Sequence, residues 1–162
     1  MAQSTLPLSF APLEGITGWL FRQVHHSRFP GLARYYTPFS APTADSPLTG
    51  RGLNDVLPEH NEDVPVVPQL LTNKADDFIS AARCLQDLGY NEVNLNLGCP
   101  SGTVVSKKKG AGFLSDPQGI DAFLDTVFRR LDMTVSVKTR IGVSNPDEWP
   151  ALLETFARYP IS

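Results

Sequence analysis

The sequence predicts an α/β fold in which a parallel sheet is covered by helices. Two observations carry this: short apolar runs alternate with longer segments of helical period, and each run is bounded by Gly, Pro, Asn or charged residues. The chain has 162 residues, 41% hydrophobic and 19% charged, so it is long enough and apolar enough for one domain with a real core.

The strand candidates are residues 6–11, 33–36, 64–71, 92–96 and 134–139. Between the third and fourth, Ala75, Phe78, Ala82 and Leu85 recur at three- and four-residue steps. That spacing predicts a helix over about 74–88, with Asn73 as its N-cap and Gly89 as its stop. Ile120, Phe123, Leu124, Val127 and Leu131 repeat the pattern after Asp116-Pro117, a cap followed by a first-turn proline. A further helix begins at Asn145-Pro146 and presents Trp149, Leu152, Leu153 and Phe156 as its buried face. Residues 17–26 carry a weaker helical pattern, and residues 39–63 form a Pro-, Asn- and Gly-containing connection whose helical content the pattern does not define.

Bulk properties exclude several classes. A net charge of -3 argues against a polyanion-binding surface spread over the molecule, so any nucleic-acid contact has to come from a local basic cluster. Cys84 and Cys99 sit in unlike settings and do not read as a disulfide framework, which fits a reducing cytoplasm. Residues 1–8 show no basic segment followed by an apolar one, and no stretch approaches the roughly 20 apolar residues that cross a bilayer, so neither secretion nor membrane insertion is expected. His25, His26 and His60 have no metal-ligand spacing, and no metal site is expected.

Four segments carry chemistry. Val93-Asn94-Leu95-Asn96-Leu97-Gly98-Cys99-Pro100 runs from a buried strand into a glycine-rich loop that continues to Lys107-Lys108-Lys109-Gly110-Ala111-Gly112. The C-terminal ends of parallel strands are where β/α enzymes place reactive groups, so Cys99 is well sited, although a free cysteine is also an ordinary small core residue. Val135-Ser136-Val137-Lys138-Thr139-Arg140 alternates, with Ser136, Lys138 and Arg140 on one face. Two cations on the inner face need an anion or acceptor to meet them; on an edge strand they would simply face solvent. Pro12 and Gly15 shape a tight turn after the first strand, and Gln69 is a lone amide on an apolar strand that needs hydrogen-bond partners.

In this order, the four segments resemble the tRNA-dihydrouridine synthase family, flavoenzymes with a (β/α)8 barrel of the TIM type and a smaller C-terminal helical domain. The most specific part of the resemblance is Asn96-Leu97-Gly98-Cys99-Pro100 with Gly110-Ala111-Gly112 and Val137-Lys138-Thr139-Arg140-Ile141-Gly142 downstream. It implies that residues 1–162 are the N-terminal part of the barrel, about five βα units, with the remaining strands and the helical tRNA-binding domain absent. It also implies FMN as cofactor, NADPH or NADH as reductant, and tRNA as partner. By the same resemblance, Pro12, Leu13, Gln69 and Lys138 hold the flavin, Asn96 and Arg140 contact the target uracil, and Cys99 is the general acid. A thiol is mostly protonated at neutral pH and suits that role. Lys107, Lys108 and Lys109 form the one local cationic run and are candidate phosphate contacts. The chain departs from the family pattern at Leu13, usually methionine, at Leu71-Thr72-Asn73, commonly Leu-x-Gly, and at Gly102, often a larger polar residue. Two alternatives stay open: a flavin barrel of the dihydroorotate dehydrogenase type, and a non-catalytic half-barrel that self-associates through open sheet edges or only binds RNA.

Overall fold

The computed structural model describes residues 6–48 and 50–162. Residues 1–5, part of the start read above for a leader, and Thr49, inside the 39–63 connection, lie outside the described residues.

The strands are β1 (Ser9–Phe10), β2 (Arg34–Tyr36), β3 (Val66–Val67), β4 (Gln69–Leu70), β5 (Glu92–Leu97) and β6 (Thr134–Thr139). They form two three-stranded sheets, β1-β2-β3 and β4-β5-β6, within each of which the strands pair in parallel in sequence order. A β/α-barrel wall advances in this way, whereas a doubly wound sheet reverses its strand order at a switch point. The predicted single strand over 64–71 is divided at Pro68, which has no N–H to give to a ladder. Its first half pairs with β2 and its second with β5, and the Pro68 carbonyl still accepts from the Asn94 N–H at 2.8 Å. The predicted first strand shrinks to two residues, because Leu6 and Leu8 project into solvent and only Phe10 packs inward, against Phe21, His25 and Tyr35. At the other edge, the Ser162 N–H donates to the Val135 carbonyl at 3.0 Å, which lays the end of the chain along β6.

Helices α1 (Trp19–Arg28), α2 (Gly50–Asn54), α3 (Ala75–Asp87), α4 (Gly102–Val105), α5 (Pro117–Arg130) and α6 (Trp149–Phe156) join the strands. Val93, Leu95, Leu97 and Val135 turn one sheet face toward Phe78, Ile79, Ala82 and Leu85 of α3 and Ile120, Phe123, Leu124 and Val127 of α5, and this is the core. Asp116 caps α5 by accepting from the Gly119 N–H at 2.9 Å, ahead of Pro117 at the first turn, as the sequence predicts. Gly89, at φ +95, ends α3.

Two expectations are corrected. Asn73 does not cap α3; its Nδ2 donates instead to the carbonyls of Lys107 (3.3 Å) and Lys108 (3.0 Å), which ties the helix start to the lysine loop. Leu153 is exposed, since α6 begins at Trp149 and turns only Leu152, Thr155 and Phe156 fully inward.

The connection between β2 and β3 is anchored by Arg22. This fully buried side chain donates to the carbonyls of Thr17 and Asp55 and to Asn61 Oδ1, while Asp55 Oδ1 accepts from the Trp19 N–H at the start of α1. Among the described residues, no helix is long and apolar enough to cross a membrane.

Candidate active site

At the C-terminal ends of the strands a cleft of about 260 Å³ is lined by Pro12, Leu13, Gln69, Asn96, Cys99 and Lys138, together with Glu14, Pro38, Phe39, Gly98 and Pro100. Six of the seven residues singled out in the sequence therefore face one space. Arg140 does not; with Ile141 to Pro146 it lines a separate depression. Strand β6 stops at Thr139, and the chain then turns through Gly142 (φ +145) into the capping box of Asn145 and Glu148. Strand alternation cannot carry Arg140 to the face of Lys138 once the strand has ended.

The register explains the floor of the cleft. Gln69, Asn94 and Ser136 sit side by side across β4, β5 and β6, and Asn96 lies beside Lys138 one pleat further on. Their side chains form a continuous chain of hydrogen bonds on the face opposite the apolar core. Asn94 Nδ2 donates to Ser136 Oγ (3.0 Å), Gln69 Nε2 to Asn94 Oδ1 (2.8 Å), and Asn96 Nδ2 to Gln69 Oε1 (2.7 Å). Asn96 Oδ1 then accepts from the backbone N–H groups of both Gly98 and Cys99, each at 3.0 Å. Gln69, 1% exposed, thus finds partners in Asn94 and Asn96 and does not depend on a cofactor ring edge for them.

That bonding leaves a definite residue of capacity. Asn96 Oδ1 has used both lone pairs and Nδ2 one of its two protons, so one N–H remains. Gln69 Oε1, 2.7 Å away, has one lone pair left. The free N–H can meet a ring carbonyl and the free lone pair a ring N–H, groups carried by pyrimidine and flavin edges alike, and Pro12, Leu13, Pro38, Phe39 and Pro100 supply apolar walls for flat rings. Lys138 adds a cation; its Nζ lies 3.6 Å from where a Cβ on Gly98 would stand.

Glycines set the position of Cys99. The Ala111 N–H donates to the Cys99 carbonyl at 3.0 Å, and Gly110 backs this contact at φ +54. A Cβ at Gly110 would stand 2.8 Å from the Cys99 oxygen and 3.1 Å from its Cβ, and one at Gly112 would stand 2.7 Å from the Val105 oxygen. The Gly-Ala-Gly run is therefore the support of the cysteine turn. Before the cleft, Leu13 is held by a turn closed by Ile16 N–H to Leu13 O (3.1 Å), with Gly15 at φ +78, and by buried Thr17, whose Oγ1 accepts from the Leu13 N–H at 2.8 Å.

Sequence reasoning missed Asn94 and Ser136 beneath the cleft and Phe39 on its wall. The signal for Asn94 was present: in Val93-Asn94-Leu95-Asn96-Leu97 the two amides alternate with apolar residues and share a face.

A family model described as dihydrouridine synthase (Dus) matches residues 9–158. A tRNA-dihydrouridine(20/20a) synthase of Vibrio parahaemolyticus is 34% identical over 103 residues, 64% of this chain and 32% of that protein. A probable tRNA-dihydrouridine synthase of Staphylococcus epidermidis is 31% identical over 153 residues, 90% of this chain and 45% of that protein. The chain thus spans less than half the length of these relatives.

Proposed function

Because this chain belongs to the dihydrouridine synthase family, we propose that its cleft is part of the active site of a β/α-barrel flavoenzyme that reduces uridines of tRNA to 5,6-dihydrouridine, with FMN as cofactor and NADPH or NADH as reductant. The observation that carries this reading is the meeting of Cys99, Lys138 and the Asn96–Gln69 donor–acceptor pair in one cleft with apolar walls.

The residues present fit a flavin ring. Gln69 and Lys138 would hold its polar edge, and Pro12 and Leu13 its face. When bound, the reduced flavin supplies the hydride for C6 of the pyrimidine. Cys99, carried over the cleft by the Asn96-held turn, gives its Sγ proton to C5 and so completes saturation of the double bond. The N–H left on Asn96 would orient a uracil carbonyl, and the Lys138 ammonium group would stand beside the polar edge of the bound flavin. Arg140 is exposed beyond the end of β6 and lies outside this cleft, so no contact with the ring is assigned to it. A base stacked within tRNA must leave its stack to enter such a cleft, and Lys107 and Lys108, exposed on the adjoining loop, are placed to hold phosphates near by.

The test is substrate choice. A protein that carries this cleft within a completed barrel, loaded with FMN and supplied with NADPH, is expected to produce dihydrouridine in an unmodified tRNA transcript, read by nucleoside mass spectrometry, and to leave free dihydroorotate unoxidised; residues 1–162 by themselves are expected to retain FMN weakly or not at all. Turnover of dihydroorotate with none on the transcript would assign the cleft to the other class of flavin barrel.

A further inference from the structure

The amide chain beneath the cleft has a direction, and the backbone imposes it. Asn96 Oδ1 faces two N–H groups, of Gly98 and Cys99, so its Nδ2 has to face Gln69. Gln69 must then turn Oε1 toward Asn96 and Nε2 toward Asn94. Asn94 in turn presents Oδ1 to Gln69 and Nδ2 to Ser136, whose hydroxyl can accept or donate and so closes the series. Reversing any one amide would set oxygen against oxygen or N–H against N–H among groups that are almost wholly buried.

From this we propose that Asn94, buried and outside the lining of the cleft, is a positioning residue: it anchors Gln69 from below and thereby fixes both the donor–acceptor order at the cleft floor and the attachment of the Cys99 turn. Asn94 touches no ring and no thiol. It acts through Gln69 and Asn96, with Ser136 as the end of the series. A side chain that merely filled space at this position would be replaceable by leucine, which has nearly the same shape. A relay member is not, since leucine leaves Gln69 Nε2 without its acceptor and frees Gln69 to turn away from Asn96. Aspartate should restore it, because one carboxyl oxygen accepts from Gln69 Nε2 and the other accepts a hydrogen bond from the Ser136 hydroxyl, which turns to donate.

The experiment compares Asn94→Leu and Asn94→Asp with the unmutated chain by residue-resolved amide exchange. In Asn94→Leu the Gly98 and Cys99 amides should exchange about tenfold faster or more, while Ile120 in α5 keeps its rate; Asn94→Asp should stay within about twofold of the unmutated chain at both. Unchanged exchange at Gly98 and Cys99 in Asn94→Leu, or an aspartate variant no better than leucine, overturns the proposal. Should Asn94→Leu fail to fold, the unmutated chain decides: the side-chain amide groups of Asn94, Gln69 and Asn96 should each show one slowly exchanging proton, and three freely exchanging groups would refute the relay. The catalytic meaning of the relay rests on the function proposed above, but these readouts need neither flavin nor RNA. Failure of the relay is seen in exchange, and failure of the function in product formation.

Discussion

One methyl group added at Gly110 tests how the cysteine loop is supported. In Gly110→Ala, the new Cβ would stand 2.8 Å from the Cys99 oxygen and 2.8 Å from Val104 Cγ1, and the backbone sits at φ +54. The left-handed conformation costs a non-glycine residue about 1–2 kcal/mol and the overpacking about 1–3 kcal/mol, so the variant should lose about 2–5 kcal/mol of stability. Gly102 is the internal control. It opens α4 in the same loop, and a Cβ there meets nothing within 4 Å, so Gly102→Ala should be neutral or gain up to about 1 kcal/mol. Urea unfolding of both variants measures the difference. The Ala111 amide, which donates to the Cys99 carbonyl, should also lose protection in Gly110→Ala alone. Equal stability of the two variants would refute the view that Gly110 is the wall behind Cys99.

Three further outcomes follow from the fold. Arg22→Ala should cost about 3–5 kcal/mol in thermal or urea unfolding, because it strips Asp55 and Asn61 of a fully buried partner; a loss under 1 kcal/mol would contradict that anchoring role. Asp116→Ala should cost about 1 kcal/mol through the lost cap on α5, with the same assay as judge. The Glu148 carboxyl is held below the usual range by the backbone N–H of Val143 first, then by those of Asn145 and Ser144. An acid with a depressed folded-state value stabilises above its unfolded pKa, about 4.3, and loses that contribution as pH falls through the folded value. The stability gap between the unmutated chain and Glu148→Gln should therefore close on acidification below about pH 4.3, and a gap independent of pH would contradict it.

Much of this architecture was legible because it is local. Alternation located all five strand segments, and the Asp116-Pro117 cap and the Gly89 stop marked helix ends through the backbone needs of their own turns. Helix α1 read weakly for a physical reason: its inward face centres on Arg22, while Leu20 and Val24 stand 62% and 55% exposed, so the pattern inverts that of a core helix. The connection between β2 and β3 stayed unread because Arg22, Asp55 and Asn61, 33 and 39 positions apart from Arg22, meet only in three dimensions. At the site, the resemblance led to residues that share a cleft. It did not show that Gln69 and Asn96 are bonded to each other, which needed the register across β4, β5 and β6. Arg140 was extrapolated from strand alternation past the last strand residue, and there the geometry ceased to apply.

The measurement that bears most directly on the proposed chemistry is single-turnover reduction of a tRNA transcript by an FMN-loaded, prereduced protein that carries this cleft within a completed barrel, unmutated and with Cys99→Ala. A lost general acid should slow dihydrouridine formation by about 10²–10⁴-fold while NADPH-driven reduction of the bound flavin keeps its rate. Equal rates of dihydrouridine formation in the two proteins would remove the Cys99 thiol from the reaction and, with it, the reason for holding that turn over the cleft.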